Sequence, residues 1–120
     1  MRVLIADDSK AMRMIVLRTL RQSGLTIDEV HESEDGAAAL EAVGTFAPDL
    51  IMSDWNMPNM TGIEFLQNLR AQGNNTTFGF VTSESNPSMK EQAIAAGAAF
   101  LLTKPFDAER LAEVVGAVVS

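Results

Sequence analysis

The residues of this chain that could carry chemistry are few and far apart: the adjacent acids Asp7 and Asp8, a third acid at Asp54, then Thr82 and Lys104. Each sits at the end of a short apolar run. Val3-Leu4-Ile5-Ala6 leads into Asp7-Asp8, Leu50-Ile51-Met52 into Ser53-Asp54, Phe78-Gly79-Phe80-Val81 into Thr82-Ser83, and Ala99-Phe100-Leu101-Leu102 into Thr103-Lys104-Pro105. Adjacent acids at the end of an apolar strand repel one another and are costly to desolvate. A hard divalent cation with oxygen ligands relieves that cost, and Mg2+ suits one or two carboxylates together with a phosphoryl oxygen. With Asp54 as carboxylate nucleophile, Mg2+ and Lys104 neutralising phosphoryl oxygens and Thr82 hydrogen-bonding one of them, the set suits phosphoryl transfer to an aspartate. Taken singly, each residue also has a structural reading: the acids as helix caps or solvated loop acids, Thr82 as a good strand former, Lys104 as a solvated surface cation.

The elements that must bring these residues together can be read from periodicity. The four apolar runs are short, rich in Val, Ile, Leu and Phe, and read as buried parallel strands. Between them lie segments with period near 3.6. The first carries Met12, Ile15, Val16 and Leu20 on one side and Arg13, Arg21 and Gln22 on another, and stops at Gly24. A second helix is expected from Asp35 to about Ala47, with Leu40 and Val43 inward and Pro48 beyond its end. Thr61 to Glu64 has capping-box spacing ahead of a Phe65, Leu66, Leu69 stripe that runs to Gly73. Asn86-Pro87 caps a helix running towards Gly97, and Asp107 caps one with Leu111, Val114, Val115 and Val118 inward. The polar stretch Thr26 to Glu32 is the remaining strand candidate, of a composition that a sheet edge tolerates best. Five β-α units in strict alternation imply a parallel sheet covered on both faces, with right-handed crossovers. All the polar endings then share one sheet edge, where open α/β sheets place their sites.

Composition narrows the function classes. The 120 residues are 47% hydrophobic, enough for one domain, and carry 16 acids against 9 bases for a formal charge of -7. With no basic run, a nucleic-acid partner for this chain alone is disfavoured. The absence of cysteine excludes disulfides, thiolate metal sites and cysteine nucleophiles, and fits a reducing compartment. No apolar run approaches a membrane span or a signal-peptide core, so no membrane insertion and a cytoplasmic location are expected. The spaced glycines of a dinucleotide site and the lysine of a phosphate loop are both missing after the first strand.

Asp7-Asp8, the segment Asp54-Trp55-Asn56-Met57-Pro58-Asn59-Met60-Thr61-Gly62, Thr82-Ser83 and Lys104-Pro105-Phe106 together resemble the receiver domain of two-component response regulators, in particular the single-domain chemotaxis (CheY-like) kind. The resemblance covers essentially all of residues 1–120, read as a single receiver domain, with the final helix leaving no residues for an output domain. It implies a flavodoxin-like, doubly wound five-stranded parallel sheet of order 2-1-3-4-5 with five helices. It also implies a switch, not an enzyme in the ordinary sense, with weak Mg2+-dependent self-phosphorylation and autophosphatase activity. Asp54 would accept a phosphoryl group from a sensor histidine kinase or a small phosphodonor. Asp8 and Asp54 would bind Mg2+ directly, Asp7 mainly through water and Asn56 through its backbone carbonyl, while Thr82 and Lys104 would contact the phosphoryl group. The side chains of Asn56 and Glu84 would tune hydrolysis of the acyl phosphate, small Ser83 would leave access to it, and the Lys104-Pro105 bond is expected to be cis. A phosphorylation-dependent target, such as the flagellar motor or another chemotaxis protein, would read the face formed by helix 4, strand 5 and helix 5.

One departure from the family pattern bears on that readout. The position three residues before the lysine, usually tyrosine or phenylalanine, is Leu101, and strand alternation points the adjacent Phe100 to the opposite face. A muted or differently transmitted surface change is expected. Trp55 beside Asp54 is a natural fluorescence reporter, His31 reads as a solvated strand residue, and Met57 and Met60 are available to contact a partner. Two other functions compete: a pseudo-receiver acting as an interaction scaffold, and a magnesium phosphohydrolase of the haloacid dehalogenase type. The scaffold usually lacks an acid or the lysine, none of which is missing here. The phosphohydrolase spaces its two acids two residues apart on one strand, whereas Asp7 and Asp8 are adjacent.

Overall fold

A computed structural model describes residues 1–119; Ser120, the last residue of the expected domain, lies outside the described residues. The chain alternates β1 (Arg2–Ala6), α1 (Lys10–Gln22), β2 (Glu29–Ser33), α2 (Gly36–Phe46), β3 (Leu50–Ser53), α3 (Gly62–Ala71), β4 (Thr77–Thr82), α4 (Pro87–Ala96), β5 (Phe100–Thr103) and α5 (Ala108–Val118). The sheet has order β2-β1-β3-β4-β5, and every strand pair is parallel. This is the flavodoxin-like topology. Strand alternation divides the core: Val3 and Ile5 face α1 and α5, while Leu4 and Ala6 face α2, α3 and α4.

Helix boundaries follow their capping chemistry. Ser9, Asp35, Thr61, Asn86 and Asp107 each accept a backbone N–H from the first turn of the helix that follows. The Thr61 cap is reciprocated, because the Glu64 carboxylate accepts from the Thr61 amide at 3.0 Å. Helix α4 ends on Gly97 in the left-handed region, at φ 100°.

Three expectations needed correction. Strand β2 starts at Glu29, not Thr26, because its ladder partner β1 starts at Arg2, opposite Glu29. Helix α1 is rotated from the expected orientation: Ile15 is 47% exposed, whereas Arg13 is buried. The buried stripe is Arg13, Val16, Thr19 and Leu20, since the Arg13 guanidinium finds hydrogen-bond acceptors at the sheet edge. Met57 is buried in the core between the sheet and α3, and Met60 packs half-buried against it, so the thioether of Met57 is not available to a partner. His31 stands exposed on β2, as expected for a solvated edge-strand residue.

Phe100 and Leu101 do point to opposite faces, Phe100 towards the α1 and α5 side and Leu101 towards the α4 side. Phe100 can lie flat on the sheet only because its ladder partner is Gly79: a Cβ at Gly79 would come within 2.0 Å of Phe100 Cζ. Gly79→Ala is therefore expected to destabilise the protein by about 1–3 kcal/mol through overpacking. In a Phe100→Ala background the same substitution should cost much less, as a double-mutant cycle by urea denaturation would measure. Equal costs in both backgrounds would contradict this packing account.

Candidate functional site

The sheet register aligns the chemistry. Ala6 pairs with Ser53, so Asp7 and Asp54 leave adjacent parallel strands at the same level. The ladder continues one step further, because the Asp54 amide donates to the Ala6 carbonyl at 2.8 Å and the Asp7 amide to the Ser33 carbonyl at 3.1 Å. On the other side Thr82 pairs with Thr103, and the Lys104 amide donates to the Thr82 carbonyl at 2.8 Å. Carboxylate oxygens of Asp7, Asp8 and Asp54 lie within 4.8 Å of one another. Lys104 reaches in from β5, its Nζ 3.0 Å from Asp7 Oδ2 and 3.9 Å from Asp54 Oδ1. The Lys104-Pro105 bond is cis.

The acids differ in their commitments. Asp7 is buried and bonded at every polar atom: Oδ1 accepts the Ser9 amide at 2.9 Å, Oδ2 the Lys104 ammonium, and its carbonyl the Arg13 guanidinium at 2.7 Å. Asp8 is exposed. Asp54 is half-buried, and its Oδ1 accepts the Trp55 amide at 2.8 Å. Burial pushes the Asp54 carboxyl above the usual carboxylate range; Lys104 and the Trp55 amide oppose the shift, and the negative charges of Asp7 and Asp8 add to it.

Thr82 is fully buried at the end of β4, where its hydroxyl accepts a long 3.5 Å hydrogen bond from the Glu84 amide. Ser83 and Glu84 are exposed just beyond it, and Asn56 is exposed in the loop after Asp54. That loop is drawn tightly against α3: the Gly62 amide donates to the Trp55 carbonyl at 2.8 Å, and a Cβ at Gly62 would fall 2.1 Å from the Asp54 carbonyl oxygen. Trp55 lies over Phe80, ring centroids 4.7 Å apart. The sequence pattern gave Gly62 no role of its own at the site and placed Arg13 on the polar side of the first helix. The signal for Arg13 was present, since it falls i−3 and i−7 from Val16 and Leu20 on the helical stripe.

Comparison with known proteins decides the family. The family model for the response regulator receiver domain matches residues 3–116. The chain belongs to the response regulator receiver domain family. It is 35% identical over 114 residues to chemotaxis protein CheY of Bacillus subtilis (95% of this chain, 93% of that one). It is 36% identical over 115 residues to CheY of Pseudomonas aeruginosa (94% and 91%). Among solved structures, chemotaxis protein CheY4 of Vibrio cholerae superposes with a TM-score of 0.85 at 38% identity, covering 98% of this chain and 97% of that one. The signal receiver domain of NarL from Mycobacterium tuberculosis gives a TM-score of 0.89 at 31% identity, covering 98% and 94%. This receiver domain is therefore CheY-like, a signalling switch by family, with an acidic cluster of oxygen donors suited to a hard cation. Among the described residues, no helix is long and apolar enough to cross a membrane.

The raised pKa of Asp54 has a consequence for stability. The folded state holds the Asp54 proton to higher pH than the unfolded chain does, so stability falls as pH rises from the ordinary carboxylate range through the raised value. In chelator at neutral pH, Asp54→Asn should melt above wild type, and the two melting curves should converge below the ordinary carboxylate range. A variant that melts below wild type at neutral pH would contradict this.

Proposed function

We propose that residues 1–120 form a single receiver domain that accepts a phosphoryl group on Asp54 from a sensor histidine kinase or a small phosphodonor, in a Mg2+-dependent reaction. The observation that carries this reading is the convergence of three carboxylates and one ammonium at a single point of the sheet edge. Asp8 and Asp54 would hold the cation directly. Asp7 would act through water, since both of its carboxylate oxygens already accept protein hydrogen bonds. The Asn56 backbone carbonyl, in the loop after Asp54, would complete the protein's ligand set. Bound there, Mg2+ supplies charge neutralisation for the phosphoryl oxygens and offsets the repulsion among the acids.

In the transfer, an Asp54 carboxylate oxygen forms the new P–O bond as the P–N bond to the donor imidazole breaks, and the leaving imidazole carries away the bond's electrons. Lys104 lies close enough to Asp54 to exchange part of its contact with Asp7 for a phosphoryl oxygen. Thr82, whose hydroxyl is held only by the long contact with Glu84 among the described residues, is free to turn and donate to another. Phosphorylation adds roughly -1.5 to -2 charges at Asp54, and these gained bonds bias a two-state surface. The affected surface would be the α4, β5 and α5 face, on whose α4 and β5 side Ser85, Pro87, Lys90, Leu101 and Thr103 line a groove. Its partner would be a phosphorylation-dependent target, as for a chemotaxis regulator. Leu101 offers neither a ring nor a hydroxyl of its own there, so the surface change should be smaller than an aromatic residue would transmit.

Incubation with acetyl phosphate and Mg2+ should add one phosphoryl group by intact mass, and none to Asp54→Asn. Rapid multiple turnover would instead favour a phosphohydrolase, and absence of the adduct a scaffold. Millimolar Mg2+ should also change Trp55 emission in the wild type, while Asp8→Asn should lose the response. An unaltered wild-type spectrum would argue against the cation site.

A further inference from the structure

Arg13 is a buried cation to which the phosphoryl-transfer reading assigns no task. Its side chain is 10% exposed, on the first turns of α1 beneath the sheet edge. The guanidinium is bonded at two of its nitrogens: Nη1 donates to the Asp7 carbonyl at 2.7 Å, and Nε donates to Glu32 Oε1 at 3.0 Å. Glu32 stands on β2, opposite Ile5 in the ladder. Arg13 therefore ties the helix, the edge strand and the peptide joining Asp7 to Asp8 into one unit. The bond at the Asp7 carbonyl matters most, because that carbonyl begins the peptide unit leading directly to the Asp8 backbone.

We propose that Arg13 is a positioning residue for the cation site: by holding the Asp7 carbonyl, it sets the direction in which the exposed Asp8 carboxylate leaves the strand. The inference rests on the receiver reading, in which Asp8 is a direct ligand. Arg13 itself bonds the Asp7 carbonyl and Glu32 and would touch neither the cation nor the phosphoryl group. Asp7 needs such a clamp on its main chain because its side chain is drawn elsewhere, towards Ser9 and Lys104. With the carbonyl released, the peptide between the two acids is free to rotate, and Asp8 loses its aim. Groups that orient metal ligands in this way are worth roughly 10–100-fold in affinity.

The direction of the effect separates positioning from bulk electrostatics. A cation beside three acids opposes Mg2+ by charge alone, so its removal would tighten binding if charge were its role. Positioning requires the opposite. Mg2+ titration of Trp55 emission should give a dissociation constant roughly tenfold weaker in Arg13→Met than in wild type. Arg13→Lys should also be weakened, because one ammonium cannot reproduce the two directed bonds of the fork. Glu32→Gln, which keeps an oxygen to accept from Nε, should stay within about twofold of wild type, being a change of charge with the geometry retained. Arg2→Ala serves as the stability control: Arg2 bonds Glu29 and the Phe46 carbonyl at the far end of β1, so its loss should lower the melting temperature with Mg2+ affinity unchanged. A wild-type response with unchanged or tighter binding in Arg13→Met and Arg13→Lys overturns the inference alone. No Mg2+ response in the wild type would overturn the receiver reading together with it.

Discussion

Carboxylates of Asp7, Asp8 and Asp54 gathered within 4.8 Å repel one another, and nearly every unusual feature of this fold surrounds that repulsion. Lys104 supplies the one ammonium contacting the cluster among the described residues, bonded closely to Asp7 and loosely to Asp54. The remaining relief comes from dipoles: the amides of Ser9 and Trp55 donate to Asp7 and Asp54. Even so, Asp54 stays above the usual carboxylate range, its burial outweighing the lysine. The repulsion left among the three carboxylates is of a kind that a bound cation, or a change in the charge at Asp54, would reduce.

Keeping such a cluster together requires a scaffold that does not relax away from it. The parallel sheet provides this because its ladders continue through the first residue of each turn, so the main chains of Asp7, Asp54 and Lys104 are bonded like strand residues although their side chains lie beyond the sheet. The contact of Gly62 with the Asp54 carbonyl pulls the loop inward, and the packing of Trp55 on Phe80 anchors it to the core beneath. Arg13 performs the corresponding task at Asp7. The opposite side of the site, at the buried Thr82 and the exposed residues that follow it, is bonded more loosely. There the hydrogen bond is long and the side chains face solvent.

The same sheet fixes which face of β5 carries its aromatic ring. Phe100 supplies the aromatic bulk of β5, but strand alternation sends it to the α1 and α5 side, where it covers Gly79. Leu101 faces the α4 side and packs on the aromatic cluster containing Phe80.

Much of this was legible before any coordinates. Strand and helix order, the N-caps Asn86 and Asp107, the capping box at Thr61 and the gathering of Asp7, Asp8, Asp54, Thr82 and Lys104 at one edge follow from local patterns and one topological rule. These patterns are readable because period and capping depend on residues only a few positions apart. What only the tertiary structure decided depends on partners distant in sequence. The rotation of α1 that buries Arg13 and exposes Ile15 is set by Asp7 and Glu32, the start of β2 by where β1 begins, and the burial of Met57 by how tightly Gly62 closes its loop. Periodicity specifies that a helix has an inner face; the acceptors waiting at the sheet edge determine which residues occupy it.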